Sequence, residues 1–172
     1  MDHHCPWVAN CIGFYNYKFF LNMIFYASVT SLLVTVTAYP VFIAVLAQET
    51  VDVKLAYFIT TAWLLTAFFC FIITGFLCFH LYLLSNQYTT IEFCEKRSAD
   101  SKYKTSPYNL GCCTNFSTVL NSNFLCWCFP CFRNLKGDGL VFEVRDDLLP
   151  KTESEDEKQP LMYQPDERKT GI

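Results

Sequence analysis

Residues Phe19 to Gln48 read FFLNMIFYASVTSLLVTVTAYPVFIAVLAQ and contain no Asp, Glu, Lys or Arg. A bilayer's hydrocarbon core is about 30 Å thick and takes roughly 20 apolar residues at 1.5 Å each, so this stretch is long enough to cross it as a helix. Pro40 falls late in the span and is expected to kink or end it, because it brings no N–H to the helical ladder. Leu55 to Leu84 repeats the pattern, with His80 as its one ionisable side chain besides Tyr and Cys. Residues 49–54, carrying Glu49, Asp52 and Lys54, leave room only for a tight luminal or extracellular turn between two antiparallel helices. The fold class that follows is an α-helical integral membrane protein with its two transmembrane helices in a hairpin.

Composition agrees. Hydrophobic types make up 52% of the 172 residues and charged types 17%, and most of the seventeen Phe precede residue 95, more than a soluble domain of this size can hide in one core. The formal net charge of −3 supplies no basic field, which removes DNA and RNA from the expected partners. Two spans return both ends of the chain to one side. Lys18, Lys96, Arg97, Lys102 and Lys104 flank the spans there, against Lys54 alone in the turn, so the positive-inside rule places both termini in the cytosol. The ten Cys are accordingly read as reduced thiols, and Cys70 and Cys78 within the second span as small apolar fillers. His80 reads as a neutral histidine at the cytosolic interface, with a proton relay as the alternative.

Three further segments complete the chain. Residues 1–18, MDHHCPWVANCIGFYNYK, hold Pro6 and Gly13 as breakers and form a small, loop-rich cytosolic module. Residues 85–142 are rich in Cys and aromatics and are expected to lie against the membrane surface. Residues 143–172 carry nine acids against five bases and almost no aromatics, the composition of a disordered tail.

The chemistry concentrates in Asp2-His3-His4-Cys5, with Cys11 six residues further on. In an extended backbone alternate side chains share a face, so His3 and Cys5 point one way and His4 the other. A thiol titrates near ~8.5 and an imidazole near ~6.5, so at neutral pH a nearby His can take the thiol proton as attack begins. His3 is the candidate base for Cys5, and Asp2 can orient it, although strand alternation alone does not bring Asp2 to His3. His4 and Cys11 remain as a soft metal-ligand pair, two of the four that Zn²⁺ requires. A single zinc site drawn from His3, His4, Cys5 and Cys11 is the competing arrangement, disfavoured because three consecutive residues rarely reach one ion.

The sequence DHHCPW with its following Cys, then NYKFF leading into a span, resembles the DHHC-type protein S-palmitoyltransferases. Thr89-Thr90-Ile91-Glu92 is similar to that family's TTxE signature, and Ser106-Pro107-Tyr108-Asn109-Leu110-Gly111 with Asn115 to its NPYxxGxxxN element. The likeness runs from residue 1 to about residue 116, with Gly137-Asp138-Gly139 also familiar; Ala9 and Ser106 stand where the family usually has Asn. The resemblance implies that residues 1–18 are the second half of a zinc-binding Cys-rich module. Two further spans and the remaining zinc ligands are expected in front of residue 1, so the chain reads as part of a longer protein. It also implies that Cys5 is the acylated nucleophile, His3 its base and Asp2 the orienter. His4 and Cys11 would bind zinc, Trp7 would sit at the acyl thioester, Thr90 would hydrogen-bond Asp2, and Asn115 would pin the following element onto the spans.

The implied function is protein-cysteine S-palmitoyl transfer: long-chain acyl-CoA as co-substrate, Zn²⁺ as cofactor, and substrate proteins with membrane-proximal cysteines as partners. The implied location is an endomembrane or the plasma membrane. The alternative is a catalytically silent membrane interaction or sorting protein lacking the other zinc ligands. Phe20, Met23, Ala27 and Thr30 recur at helical steps and are expected to line an acyl cavity, although such a stripe also serves plain helix packing. Lys18, Lys96, Arg97 and Lys104 are candidates for CoA phosphates or anionic lipid. Cys112, Cys113, Cys126, Cys128 and Cys131 are expected to be acylated themselves rather than to hold a metal.

Overall fold

The computed structural model describes residues 1–47, 52–96, 106–131 and 139–145; the expectations placed on Arg97, Lys102, Lys104, Gly137, Asp138 and the acidic stretch from residue 146 lie outside the described residues. Two long helices dominate it, α1 (Tyr17–Ala47) and α2 (Val53–Ser85). Each contains an 18-residue apolar window with no residue buried inside the chain, unlike the core helix of a soluble protein, and the fold is that of a helical membrane protein. Pro40 lies inside α1 and does not end it: the helix continues to Ala47. Loss of one N–H at that position is tolerated because the ladder resumes on both sides.

Asp52 caps α2, its carboxylate accepting from the Lys54 and Leu55 N–H groups at 2.7 and 3.4 Å. The antiparallel pairing is visible in which side chains meet. Near the turn Phe42 stacks on Trp63 at 4.2 Å, and Trp63 Nε1 donates to the Thr35 carbonyl at 3.0 Å. Midway, the Ser28 and Thr74 hydroxyls share a hydrogen bond of 2.8 Å, the kind of short polar link that joins helices in lipid, where apolar contact alone gives little preference. At the far end Phe20 meets Phe76 and His80.

Helices of 31 and 33 residues run to roughly 46 and 50 Å, beyond what a ~30 Å core needs, and at the end opposite the turn they carry the rest of the described chain. Residues 1–18 meet that end and are not simply a loop. They contain two three-residue strands, β1 (His3–Cys5) and β2 (Asn10–Ile12), paired antiparallel with His3 opposite Ile12, His4 opposite Cys11 and Cys5 opposite Asn10. Residues 6–9 turn the hairpin, and Ala9 adopts φ +48°. A side chain in that left-handed region costs about 1–2 kcal/mol, a cost that Asn and Gly largely escape. Cys5, Ile12, Phe20, Leu21, Leu84 and Leu120 form the core that joins hairpin to helices.

Two short helices close the same end, α3 (Thr90–Lys96) and α4 (Cys112–Leu120). Asn115 of α4 is 1% exposed and is the link between α4 and α2: its Nδ2 donates to the Ser85 carbonyl and to Asn109 Oδ1, each at 2.9 Å, and its Oδ1 accepts from Leu110 N–H at 3.1 Å. Ser106 occupies the place expected for Asn and still bonds, its hydroxyl donating to the Gln87 carbonyl at 2.8 Å.

Two outcomes follow. Asn115→Ala leaves a carbonyl and an N–H without their partner, at about 1–3 kcal/mol for each buried group left unmatched. The apparent unfolding midpoint in detergent is expected to fall, with new proteolytic cuts within residues 106–120. Ala9→Asn is expected to raise the midpoint, and its hairpin amides to exchange hydrogen more slowly.

Candidate active site

The pleat of β1 sorts its side chains. His3 is half-buried, His4 exposed and Cys5 buried, the alternation that strand geometry dictates. Cys5 and His3 therefore occupy the inner face, toward α1 and α2, while His4 faces outward. His3 packs edge-on against Phe20 with ring centroids 5.1 Å apart.

Asp2 supplies what strand alternation could not. It is buried, and its Oδ2 lies 2.5 Å from His3 Nδ1. Its position is set by the first turn of α3: Thr90 N–H donates to Asp2 Oδ1 and the Thr90 hydroxyl to the Asp2 carbonyl, both at 2.8 Å. The Asp2 N–H in turn donates to the Ile12 carbonyl at 2.8 Å. With Nδ1 committed to the carboxylate, Nε2 is the His3 nitrogen available to a thiol on the same face.

The Thr-Thr-x-Glu run divides its labour. Thr89 N–H donates to Glu92 Oε2 at 2.8 Å and Glu92 N–H to the Thr89 hydroxyl at 3.2 Å, a reciprocal capping box at the start of α3. That cap leaves the next N–H and the next hydroxyl, those of Thr90, free to hold Asp2. A carboxylate at a helix N-terminus is also favoured by the backbone dipoles.

On the outer face the register places His4 directly across from Cys11, and His4 Nδ1 lies 3.6 Å from Cys11 Sγ. A tetrahedral zinc with Zn–N near 2.0 Å and Zn–S near 2.3 Å separates those two ligand atoms by about 3.5 Å, so the pair fits two corners of such a site. Among the described residues no third His, Cys, Asp or Glu joins them.

The remaining sequence candidates scatter. Trp7 stands at the hairpin tip, 92% exposed. Phe20 and Met23 line a groove of about 210 Å³ together with Val8, Ile12, Asn16 and Phe19. Phe20 is mainly a core residue, and Thr30 is exposed further along α1, outside that groove, so the stripe is not gathered into one cavity among the described residues. Lys18, expected at an open surface, is instead buried, with Nζ on Cys131.

Sequence reasoning underrated His80 and passed over Tyr17. His80 is 1% exposed, its ring 5.8 Å from that of His3, with Nδ1 3.3 Å from the Tyr17 hydroxyl. A lone histidine in an otherwise unionisable span was the available signal; Tyr17 carried none.

A membrane hairpin whose end opposite the turn carries an Asp–His–Cys strand and a His paired across it with a Cys is matched in known proteins. The DHHC palmitoyltransferase family model matches residues 1–97. The chain is 34% identical over 167 residues to "Probable protein S-acyltransferase 13" of Arabidopsis thaliana, covering 94% of this chain and 52% of that protein. It is 34% identical over 146 residues to "Palmitoyltransferase ZDHHC15" of Rattus norvegicus, covering 84% and 43%, and 33% identical over 145 residues to "Palmitoyltransferase ZDHHC20" of Homo sapiens, covering 84% and 40%. The chain belongs to the DHHC palmitoyltransferase family and spans about half the length of these relatives, or somewhat less.

Thr89→Ala removes the capping box, a loss of about 1 kcal/mol. Hydrogen exchange at Glu92, whose N–H loses the Thr89 hydroxyl, is expected to quicken, and Thr89→Ser to restore it.

Proposed function

We propose that this chain carries the reaction centre of a protein-cysteine S-acyltransferase that takes a long-chain acyl group, such as palmitoyl, from acyl-CoA onto Cys5 and passes it to a cysteine of a substrate protein. The observation that carries this reading is the set Asp2, His3 and Cys5: a carboxylate fixed by Thr90, bonded to Nδ1 of an imidazole that shares a strand face with a buried thiol.

His3 Nε2 accepts the Cys5 proton as the sulfur attacks the thioester carbonyl, and Asp2 steadies the imidazolium that forms. The CoA sulfur leaves and takes that proton. A substrate thiol then repeats the exchange on acyl-Cys5. One thioester replaces another at each step, so no ATP is consumed. His4 and Cys11 would hold zinc with ligands from elsewhere, and the metal's contribution would be structural, tying the two strands together on the face away from Cys5. Phe20 and Met23 would meet the acyl chain, with Trp7 at the thioester end. Lys18 and Lys96 at the span ends, against Lys54 at the turn, favour cytosolic termini by the positive-inside rule, and the location proposed with this activity is an endomembrane or the plasma membrane.

The test supplies alkyne-tagged palmitoyl-CoA to the intact membrane-embedded protein and reads hydroxylamine-sensitive label on the peptide of residues 1–18. Label is expected at Cys5 and is lost in Cys5→Ser. Transfer is expected to fall by roughly 10²–10⁴-fold in His3→Ala, the usual worth of general acid–base help. Thr90→Val, which removes one hydrogen bond of about 1–1.5 kcal/mol, is expected to slow it about tenfold. Unlabelled Cys5 in a folded protein would instead favour the silent membrane-interaction reading. His4→Ala or Cys11→Ser is expected to lower bound zinc by elemental analysis.

A further inference from the structure

Lys18 in the first turn of α1 is 4% exposed, and among the described residues no carboxylate meets it. Its Nζ donates to the Cys131 carbonyl at 3.2 Å and lies 3.2 Å from Cys131 Sγ. Taking an ammonium out of water is unfavourable unless an anion accompanies it. The Cys131 sulfur is the group at that distance able to become one.

The segment that brings Cys131 there lies along α1. The Tyr26 hydroxyl donates to the Cys128 carbonyl at 2.6 Å, eight residues and so roughly 12 Å further along the helix than Lys18. Trp127 anchors the segment by stacking on Phe116 at 5.6 Å and donating from Nε1 to the Asn121 carbonyl at 2.8 Å. Around that anchor Phe124, Leu125 and Phe129 are 72%, 75% and 62% exposed, apolar side chains that belong in lipid at this end of a membrane hairpin. The sulfur thus sits on a segment whose exposed apolar side chains suit it to meet a lipid-borne electrophile.

We propose that Cys131 is an S-acylation site of this chain, with Lys18 as the counter-charge to its thiolate and a long-chain acyl thioester as the donor. The site goes beyond the Cys5 reading and does not depend on it. The hydrogen bond from Lys18 holds the Cys131 thiol below its ordinary range; burial opposes this, and the contact from Cys126 assists it. The same contact pushes the Cys126 thiol up, so of the two neighbours Cys131 is the nucleophile. In the reaction the Cys131 thiolate forms a new bond to the acyl carbonyl carbon, the bond from that carbon to the donor's sulfur breaks, and the departing thiolate takes up the proton that Cys131 had released to solvent. No electrons change hands. The product adds an acyl chain beside Phe124, Leu125 and Phe129 and fastens the segment to the bilayer.

The test incubates the membrane-embedded protein with alkyne-tagged palmitoyl-CoA and maps hydroxylamine-labile acyl groups by peptide fragmentation. Occupancy at Cys131 is expected to exceed that at the exposed Cys112 and Cys113 by roughly fivefold or more, as thiolate character dictates. Lys18→Met is expected to lower it about tenfold near neutral pH and to shift the rate profile to higher pH, a change of about one pKa unit, with Lys18→Arg restoring it. Equal occupancy at Cys112, Cys113 and Cys131, or full occupancy at Cys131 in a folded Lys18→Met protein, overturns the proposal. Should Lys18→Met fail to insert, the comparison among the wild-type cysteines decides alone. A Cys5→Ser arm identifies the donor: label retained at Cys131 points to acyl-CoA, and label lost points to acyl-Cys5, either of which keeps the site. Acylation of Cys5 is read on a separate peptide, so the two proposals fail independently.

Discussion

The arrangement at the membrane end of this protein depends on how one carboxylate is held. Asp2 is buried, and a buried anion is tolerated only when its oxygens are matched. Its two oxygens are divided: Oδ1 accepts the Thr90 N–H at 2.8 Å, and Oδ2 lies 2.5 Å from His3 Nδ1. The first bond joins the β-hairpin to the first turn of α3, 88 residues away in sequence. The second fixes which nitrogen of His3 is left for the thiol. A structural bond and a chemical one therefore share a single side chain, and neither can move without the other.

The strand pleat does the rest of the sorting. Adjacent residues on β1 face opposite ways, so His3 and Cys5 turn toward the helices while His4 turns outward to Cys11. Two neighbouring histidines with the same chemistry meet different surroundings because the backbone separates them. The same separation argues against one zinc site drawn from His3, His4, Cys5 and Cys11, since Cys5 is in the core and His4 is exposed.

How far these features can be read from sequence follows from their range. The spans are legible because a run without Asp, Glu, Lys or Arg from Phe19 to Gln48 admits one solvent. The opposition of His3 to His4 needed only the two-residue period of an extended chain. The hairpin itself was hidden, since strands of three residues are too short to declare a period. The Asp2–Thr90 bond joins positions with no local relation, and it was expected only because a four-residue signature resembled one in a known family. Lys18 misled for a physical reason: a cation beside a span ordinarily sits at the surface, and here Cys131 of a later segment covers it. Of the two outcomes expected at Pro40, a kink or an end, the end does not occur, because a long apolar helix in a membrane setting absorbs one missing N–H.

A rapid-quench measurement of CoA release from the intact membrane-embedded protein addresses the central claim most directly, because a carrier sulfur must release CoA before any acceptor is present. If His3 and Asp2 make Cys5 that carrier, palmitoyl-CoA alone releases a burst from the Cys131→Ser protein that vanishes when Cys5→Ser is added and slows without losing amplitude when Asp2→Asn is added. A burst of unchanged amplitude and rate when Cys5→Ser is added would contradict the account.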